Sequence, residues 1–105
     1  MKKLENIEQF ETLKNEGKTI FMFSADWCPD CRVIEPILPG IEADFPEYTF
    51  VYVDRDDFID LCQEMDIFGI PSFVAYHNGE EAGRFVSKNR KTQEEIEGFI
   101  NDLAQ

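Results

Sequence analysis

The chain has 105 residues, 43% of them apolar, which suffices for the core of one domain and is too short for two ordinary ones. Its formal net charge of -12 makes nucleic acids and anionic membrane surfaces poor partners. Three cysteines, an odd number, argue against the disulfide framework of small secreted proteins, and residues 1–6 lack the apolar run of a signal peptide. We therefore predict one cytoplasmic, monomeric domain spanning residues 1–105, with no membrane association.

The first half of the chain alternates between helical and strand patterns. Asn6 is predicted to cap a helix whose apolar stripe ends before Gly17. Residues 18–24 and 48–53 have the continuous apolar character of buried strands. Between these strands a helix is predicted from Cys28 onward. Two prolines and a glycine are expected to kink or interrupt it: Pro36, Pro39 and Gly40.

The second half of the chain predicts a helix, a hairpin and a final helix. Residues 58–65 place their apolar side chains on one helix face. Two strands, 72–76 and 83–86, are separated by an Asn-Gly hairpin signal, and Thr92 with Glu95 frames a capping box for the last helix. The order αβαβαββα implies an α/β fold, in which helices cover both faces of a central mixed sheet of four to five strands.

The most informative segment is Trp27-Cys28-Pro29-Asp30-Cys31, which follows the first buried strand and begins the second predicted helix. Two thiols three residues apart on the first turn of a helix lie close enough to form a disulfide with little backbone movement. The helix N-terminus presents unpaired N–H groups and a positive dipole end, which favour a thiolate. Because the thiolate is the nucleophile in disulfide exchange, the segment predicts a thiol–disulfide oxidoreductase.

Further features accompany this motif. Pro36 lies five residues beyond Cys31, Gly69-Ile70-Pro71 precedes a predicted core strand, and Asn78-Gly79 occupies the hairpin turn. Together with the order of the elements and Trp27, they make the chain resemble the thioredoxin family over essentially its whole length. The resemblance implies a thioredoxin fold and an electron carrier that reduces protein disulfides. It also implies no cofactor beyond the Cys28–Cys31 disulfide, and a thioredoxin reductase as electron donor.

The same resemblance implies roles for individual residues. Cys28 is expected to attack the substrate disulfide, and Cys31 to resolve the mixed disulfide. Pro71 is expected to be cis and to pack against the disulfide. Trp27 and the backbone of Ile70 are expected to form part of the substrate-docking surface.

Phe68 occupies a loop position that faces the substrate in the thioredoxin pattern. We predict that it joins Trp27 and Ile70 in a small apolar patch for substrate binding; the alternative is ordinary core packing.

Between its cysteines this chain departs from the family pattern. Thioredoxins have Gly-Pro there, whereas this chain has Pro29 and Asp30, which we expect to tune the redox couple. A carboxylate two residues from Cys28 destabilises its thiolate by like-charge repulsion, and Arg32 is expected to offset part of that repulsion. The dithiol is therefore predicted to be a better electron donor than it would be with a neutral residue at position 30.

A second departure concerns proton transfer to and from the resolving thiol. The family's buried aspartate and its accompanying lysine correspond here to Met22 and Tyr52. Asp26 is predicted to lie on the surface beside the motif, so no buried base for Cys31 is recognisable. Ser87 stands where the family has a glycine that contributes to the docking surface.

Two metal sites and one other function are the alternatives to this prediction. A zinc site would combine Cys28, Cys31, Cys62 and His77, but the paired knuckles are missing, and Cys62 is predicted to be a core residue and His77 a surface turn residue. The acidic residues 54–60 lack the glycine and terminal glutamate of a calcium loop. No metal is therefore predicted. The alternative function is a thioredoxin-fold binding or adaptor module with weak redox activity.

Overall fold

The computed structural model describes residues 1–103, so the last two residues of the predicted 1–105 domain lie outside it. The strands are β1 (Lys2–Lys3), β2 (Lys18–Ser24), β3 (Thr49–Asp54), β4 (Ser72–His77) and β5 (Glu80–Phe85). The helices are α1 (Ile7–Lys14), α2 (Pro29–Ile34), α3 (Leu38–Asp44), α4 (Ile59–Glu64) and α5 (Gln93–Leu103). A 3-10 turn, Glu35–Ile37, separates α2 from α3.

The strands described form one mixed sheet in the order β1-β3-β2-β4-β5. Strand β2 lies at its centre, parallel to β3 and antiparallel to β4, and all of its residues after Lys18 are buried. Side chains that alternate along β2 enter two different core clusters, Phe21 and Phe23 in one, Ile20 and Met22 in the other. The first cluster is covered by α1 and α4, and the second by α2, α3 and α5. The predicted mixed sheet with helices on both faces is therefore confirmed.

Local signals account for several element boundaries. The predicted interruption after α2 is confirmed for Pro36, which lies in the 3-10 turn, where its missing N–H and its ring are incompatible with a continuous α-helix. Pro39 and Gly40 lie within α3 and do not interrupt it. The capping box at α5 is also confirmed: the Glu95 N–H donates to the Thr92 hydroxyl at 3.1 Å, and the Thr92 N–H donates to the Glu95 carboxylate at 3.0 Å.

The two outer strands differ from the sequence prediction. Strand β5 begins at Glu80 rather than at residue 83, because Asn78 and Gly79 both adopt positive φ and close a two-residue turn that pairs His77 directly with Glu80. Strand β1 was not predicted, since Lys2–Lys3 is short, exposed and polar. Its parallel pairing with Val51 and Tyr52 of β3 holds it in the sheet.

Candidate active site

Cys28 and Cys31 are joined by a disulfide at the start of α2. Cys28 is the N-cap residue, Pro29 occupies the first helical turn, and the two Cα atoms are 5.2 Å apart. The Cys31 N–H points at Cys28 Sγ from 3.2 Å, so the same N–H is placed to stabilise a Cys28 thiolate in the reduced chain. Both residues are buried, Cys28 with 3% of its surface exposed and Cys31 with none.

The loop before β4 closes over the disulfide. The Ile70–Pro71 peptide bond is cis, as predicted, and Pro71 is buried. The side chain of Ile70 packs against the cluster of Ala25 and the two cysteines, and its carbonyl oxygen lies 3.8 Å from Cys28 Sγ. The loop before β4 therefore lies directly against the Cys28 sulfur atom.

Trp27 stands beside the disulfide with 58% of its surface exposed. Its indole N–H donates to Asp56 Oδ2 at 2.7 Å, and the Arg55 guanidinium lies 5.8 Å from the ring centroid. Asp54 accepts the backbone N–H of Asp56 at 2.8 Å and so shapes the turn that brings Asp56 to the indole. The contacts of Asp56 and Arg55 with the indole were not predictable from the sequence, because Asp56 lies 29 positions from Trp27.

Phe68 lies on the surface of the loop that leads to the cis-proline. It is 61% exposed, so the alternative of core packing does not hold. It borders a shallow depression of about 250 Å³ that Cys62 and Ile67 also line. The described contacts do not join Phe68 to Trp27, and the shared apolar patch therefore stays a prediction.

Asp30, between the two cysteines, pairs with a residue far away in the sequence. Its Oδ1 accepts a hydrogen bond from Arg90 Nε at 2.9 Å. The residue in contact with Asp30 is therefore Arg90, and the partial offset expected from Arg32 stays a prediction. Asp30 and Arg32 are two residues apart on a helix, where side chains point away from each other, whereas the loop after β5 brings Arg90 to the carboxylate.

The position of the family's buried acid is apolar in this chain. Met22 is 1% exposed and is paired with Tyr52 of the neighbouring strand, while Asp26 is exposed, as predicted. Burial raises the pKa of the Tyr52 phenol, the nearby Ser24 hydroxyl opposes this effect, and the carboxylates of Asp26, Asp54 and Glu35 add to it. The Ser24 and Tyr52 hydroxyls are neighbours, but neither forms a hydrogen bond with the other or with any other group in residues 1–103.

Cys62 and His77 lie apart from the disulfide. Cys62 is a free thiol, 1% exposed in the core on the α1 and α4 side of the sheet, and burial raises its pKa. His77 is exposed at the end of β4, as predicted. Within residues 1–103 no group of three His, Cys, Asp or Glu side chains is arranged to hold a metal ion.

The same residues contain no helix long and apolar enough to cross a membrane.

The chain is similar to known proteins of one family over nearly its whole length. Residues 2–102 match the family model described as Thioredoxin. The thioredoxin of Oryctolagus cuniculus is 31% identical over 106 aligned residues, covering 98% of each chain, and a thioredoxin H-type of Fagopyrum esculentum is 38% identical over 79% of this chain and 72% of its own. The oxidised mitochondrial thioredoxin 3 of Saccharomyces cerevisiae superimposes with a TM-score of 0.82 at 26% identity, over 96% of this chain and 94% of that one.

Proposed function

We propose that this chain, which belongs to the thioredoxin family, is a monomeric cytoplasmic electron carrier and that a thioredoxin reductase reduces it. It is a protein-disulfide oxidoreductase whose redox couple is the Cys28–Cys31 dithiol. The observation that carries the proposal is the disulfide itself, which lies at a helix start with Cys28 as the N-cap residue. The disulfide at the helix start and the packing of Ile70 against it support redox turnover rather than binding alone.

The two thiols divide the reaction into two exchange steps. The Cys28 thiolate attacks one sulfur of a substrate disulfide, which forms a mixed disulfide and releases one substrate thiolate. The Cys31 thiolate then attacks Cys28 Sγ, which closes the Cys28–Cys31 disulfide and releases the second substrate thiolate. Two electrons pass from the chain to the substrate, and the reductase returns two electrons to regenerate the dithiol.

Substrate is held, in this proposal, by the exposed surface around the disulfide. Trp27 supplies a ring fixed by Asp56, the backbone of Ile70 supplies polar groups beside the reacting sulfur, and Phe68 supplies an exposed ring on the same loop. Pro71 shapes that loop, and Pro29 and Asp30 tune the couple from within the helix start. Aromatic side chains are efficient anchors because they bury a large area at low entropic cost.

An insulin-reduction assay tests the proposed function. The chain is expected to reduce insulin with NADPH and thioredoxin reductase, and to reduce it once when supplied as the pre-reduced dithiol without the enzyme. Turnover with dithiothreitol but not with the reductase would refute the proposed electron donor. Absence of reduction under both conditions, with retained capture of disulfide-containing proteins, would favour the adaptor alternative, which the apolar Met22 position also favours.

Phe68→Ala is expected to lower kcat/KM for protein disulfides about three- to tenfold while leaving Tm nearly unchanged. The reason is that Phe68 is 61% exposed, so its ring contributes little to the core and much to any surface it binds. Phe58→Ala is the matched control, because Phe58 packs against the core cluster and its loss should lower Tm instead. Unaltered kinetics in Phe68→Ala would remove this residue from the docking surface.

A further inference from the structure

The loop between β5 and α5 is organised around a buried ammonium group. Lys91 is 2% exposed, and its Nζ lies 3.1 Å from Ser87 Oγ, 3.3 Å from the Ser87 carbonyl oxygen and 3.3 Å from the Asn89 carbonyl oxygen. The ring of Phe85 is 5.0 Å away. A buried charge is tolerated only when its hydrogen-bonding capacity is met, and here the loop's own oxygens meet it. Lys91 therefore fixes the shape of residues 87–91.

The loop between β5 and α5 also packs against the segment that covers the disulfide. A side chain at Gly69 would place its first carbon 2.7 Å from the Ser87 carbonyl carbon and 2.9 Å from Lys88 Cα, so the two backbones are in direct contact. Gly69 immediately precedes Ile70, which packs on the disulfide. Ser87 and Lys88 are thus packed directly against the segment whose next residue covers the disulfide.

Arg90 extends from the fixed loop to the segment between the two cysteines. Its contact with Asp30 spans 60 positions in the sequence, and 31% of the Asp30 side chain is exposed. The carboxylates of Glu95 and Asp30 both oppose the lowering of the Lys91 pKa that burial causes. The cation in direct contact with the Asp30 carboxylate is Arg90.

We propose that Arg90 is a positioning residue for the redox couple, because it holds and neutralises Asp30 and thereby favours the Cys28 thiolate. Without this contact the Asp30 carboxylate repels a thiolate two residues away. The cation that compensates the Asp30 carboxylate thus comes from the loop after β5 rather than from the helix that carries the cysteines. The inference rests on the proposed attacking role of Cys28.

Other charged groups surround the site and stay constant in the test. Arg32 is on α2, and Asp26 precedes the motif. Asp56 and Arg55 contact Trp27 from the turn after β3. Two further charged groups are Lys91 in the loop and Glu95 in α5. Their fields shift the Cys28 pKa by a common amount in every variant, so a difference between variants isolates the Arg90–Asp30 contact.

The test is a double-mutant cycle that comprises Arg90→Gln, Asp30→Asn and the combined variant. Arg90→Gln is expected to raise the Cys28 pKa by about half a unit to one unit, and to shift the glutathione redox equilibrium about three- to tenfold toward the stronger reductant. Asp30→Asn is expected to lower the pKa. In the Asp30→Asn background, loss of Arg90 is expected to change the pKa by less than about a third of a unit. Thiolate absorbance measures the pKa.

Two controls accompany the cycle. Lys88→Gln removes the same charge from an exposed position in the same loop and is expected to leave the Cys28 pKa almost unchanged. Arg90→Lys keeps the cation and is expected to retain most of the wild-type value. Thermal melting of each variant verifies the fold.

An Arg90→Gln shift of equal size with and without Asp30 would overturn the proposal, as would no shift at all. Both readouts use the full chain without reductase or protein substrate, so a failed insulin assay is a separate result.

Discussion

Cys28→Ser is expected to abolish disulfide reduction, whereas Cys31→Ser is expected to accumulate a covalent mixed disulfide with its substrate. Cys28 keeps 3% of its surface exposed against none for Cys31, and its Sγ accepts the Cys31 N–H, so it is the better placed of the two to attack. Cys31 is fully buried one turn further on, so an external disulfide cannot reach it before Cys28 has reacted. Intact-mass analysis after exposure to a disulfide peptide measures both outcomes.

The third cysteine provides the control for this experiment. Cys62→Ala removes a buried free thiol and is expected to leave both outcomes unchanged. A stable adduct on Cys28→Ser, with none on Cys31→Ser, would reverse the roles of the two thiols.

Resolution of the mixed disulfide is expected to accelerate about tenfold per pH unit between pH 6 and about 8, and to level off near the pKa of an ordinary thiol, about 8.5. The reason is that the rate follows the fraction of thiolate at Cys31, and the side chains at the family's proton-transfer positions are Met22 and Tyr52 rather than an acid and a lysine. Single-turnover rates across this range give the profile. Resolution is expected to be slower at neutral pH than in thioredoxins that have the buried acid.

Tyr52→Phe separates the remaining explanations. It keeps the ring and removes only the phenol, and the pH profile is expected to stay the same because burial already holds the pKa of that phenol above its usual value. A changed profile in Tyr52→Phe would identify the phenol as the proton carrier. A fast rate independent of pH in the unaltered chain would mean that another base acts on Cys31.

Features encoded by neighbouring residues were predictable from the sequence. The helix start at Cys28, the capping box at Thr92 and the interruption at Pro36 each depend on residues within one turn of each other. The continuous apolar runs of β2 and β3 likewise signal burial on both faces. Because the redox motif begins a helix, the centre of the candidate site was also predictable from neighbouring residues.

Contacts between distant segments were not predictable in this way. The Trp27–Asp56 hydrogen bond and the Arg90–Asp30 ion pair join residues 29 and 60 positions apart, and neither leaves a periodic pattern. Arg90 was not predicted as the partner of Asp30, because the two residues are close in space and far apart in the sequence. Strand β1 was missed for a related reason, since its two lysines are held by pairing with β3 rather than by their own propensity.

The two outer strands of the sheet also bear on how the chain behaves in a crowded solution. An unpaired strand edge is a template on which a second chain can add by backbone hydrogen bonds, and short or charged edges discourage that addition. Strand β1 is only two residues long and consists of lysine, while β5 carries Glu80, Glu81 and Arg84 along its length. Edge-to-edge stacking into fibrils is thereby disfavoured at both ends of the sheet, even when a core substitution loosens the molecule.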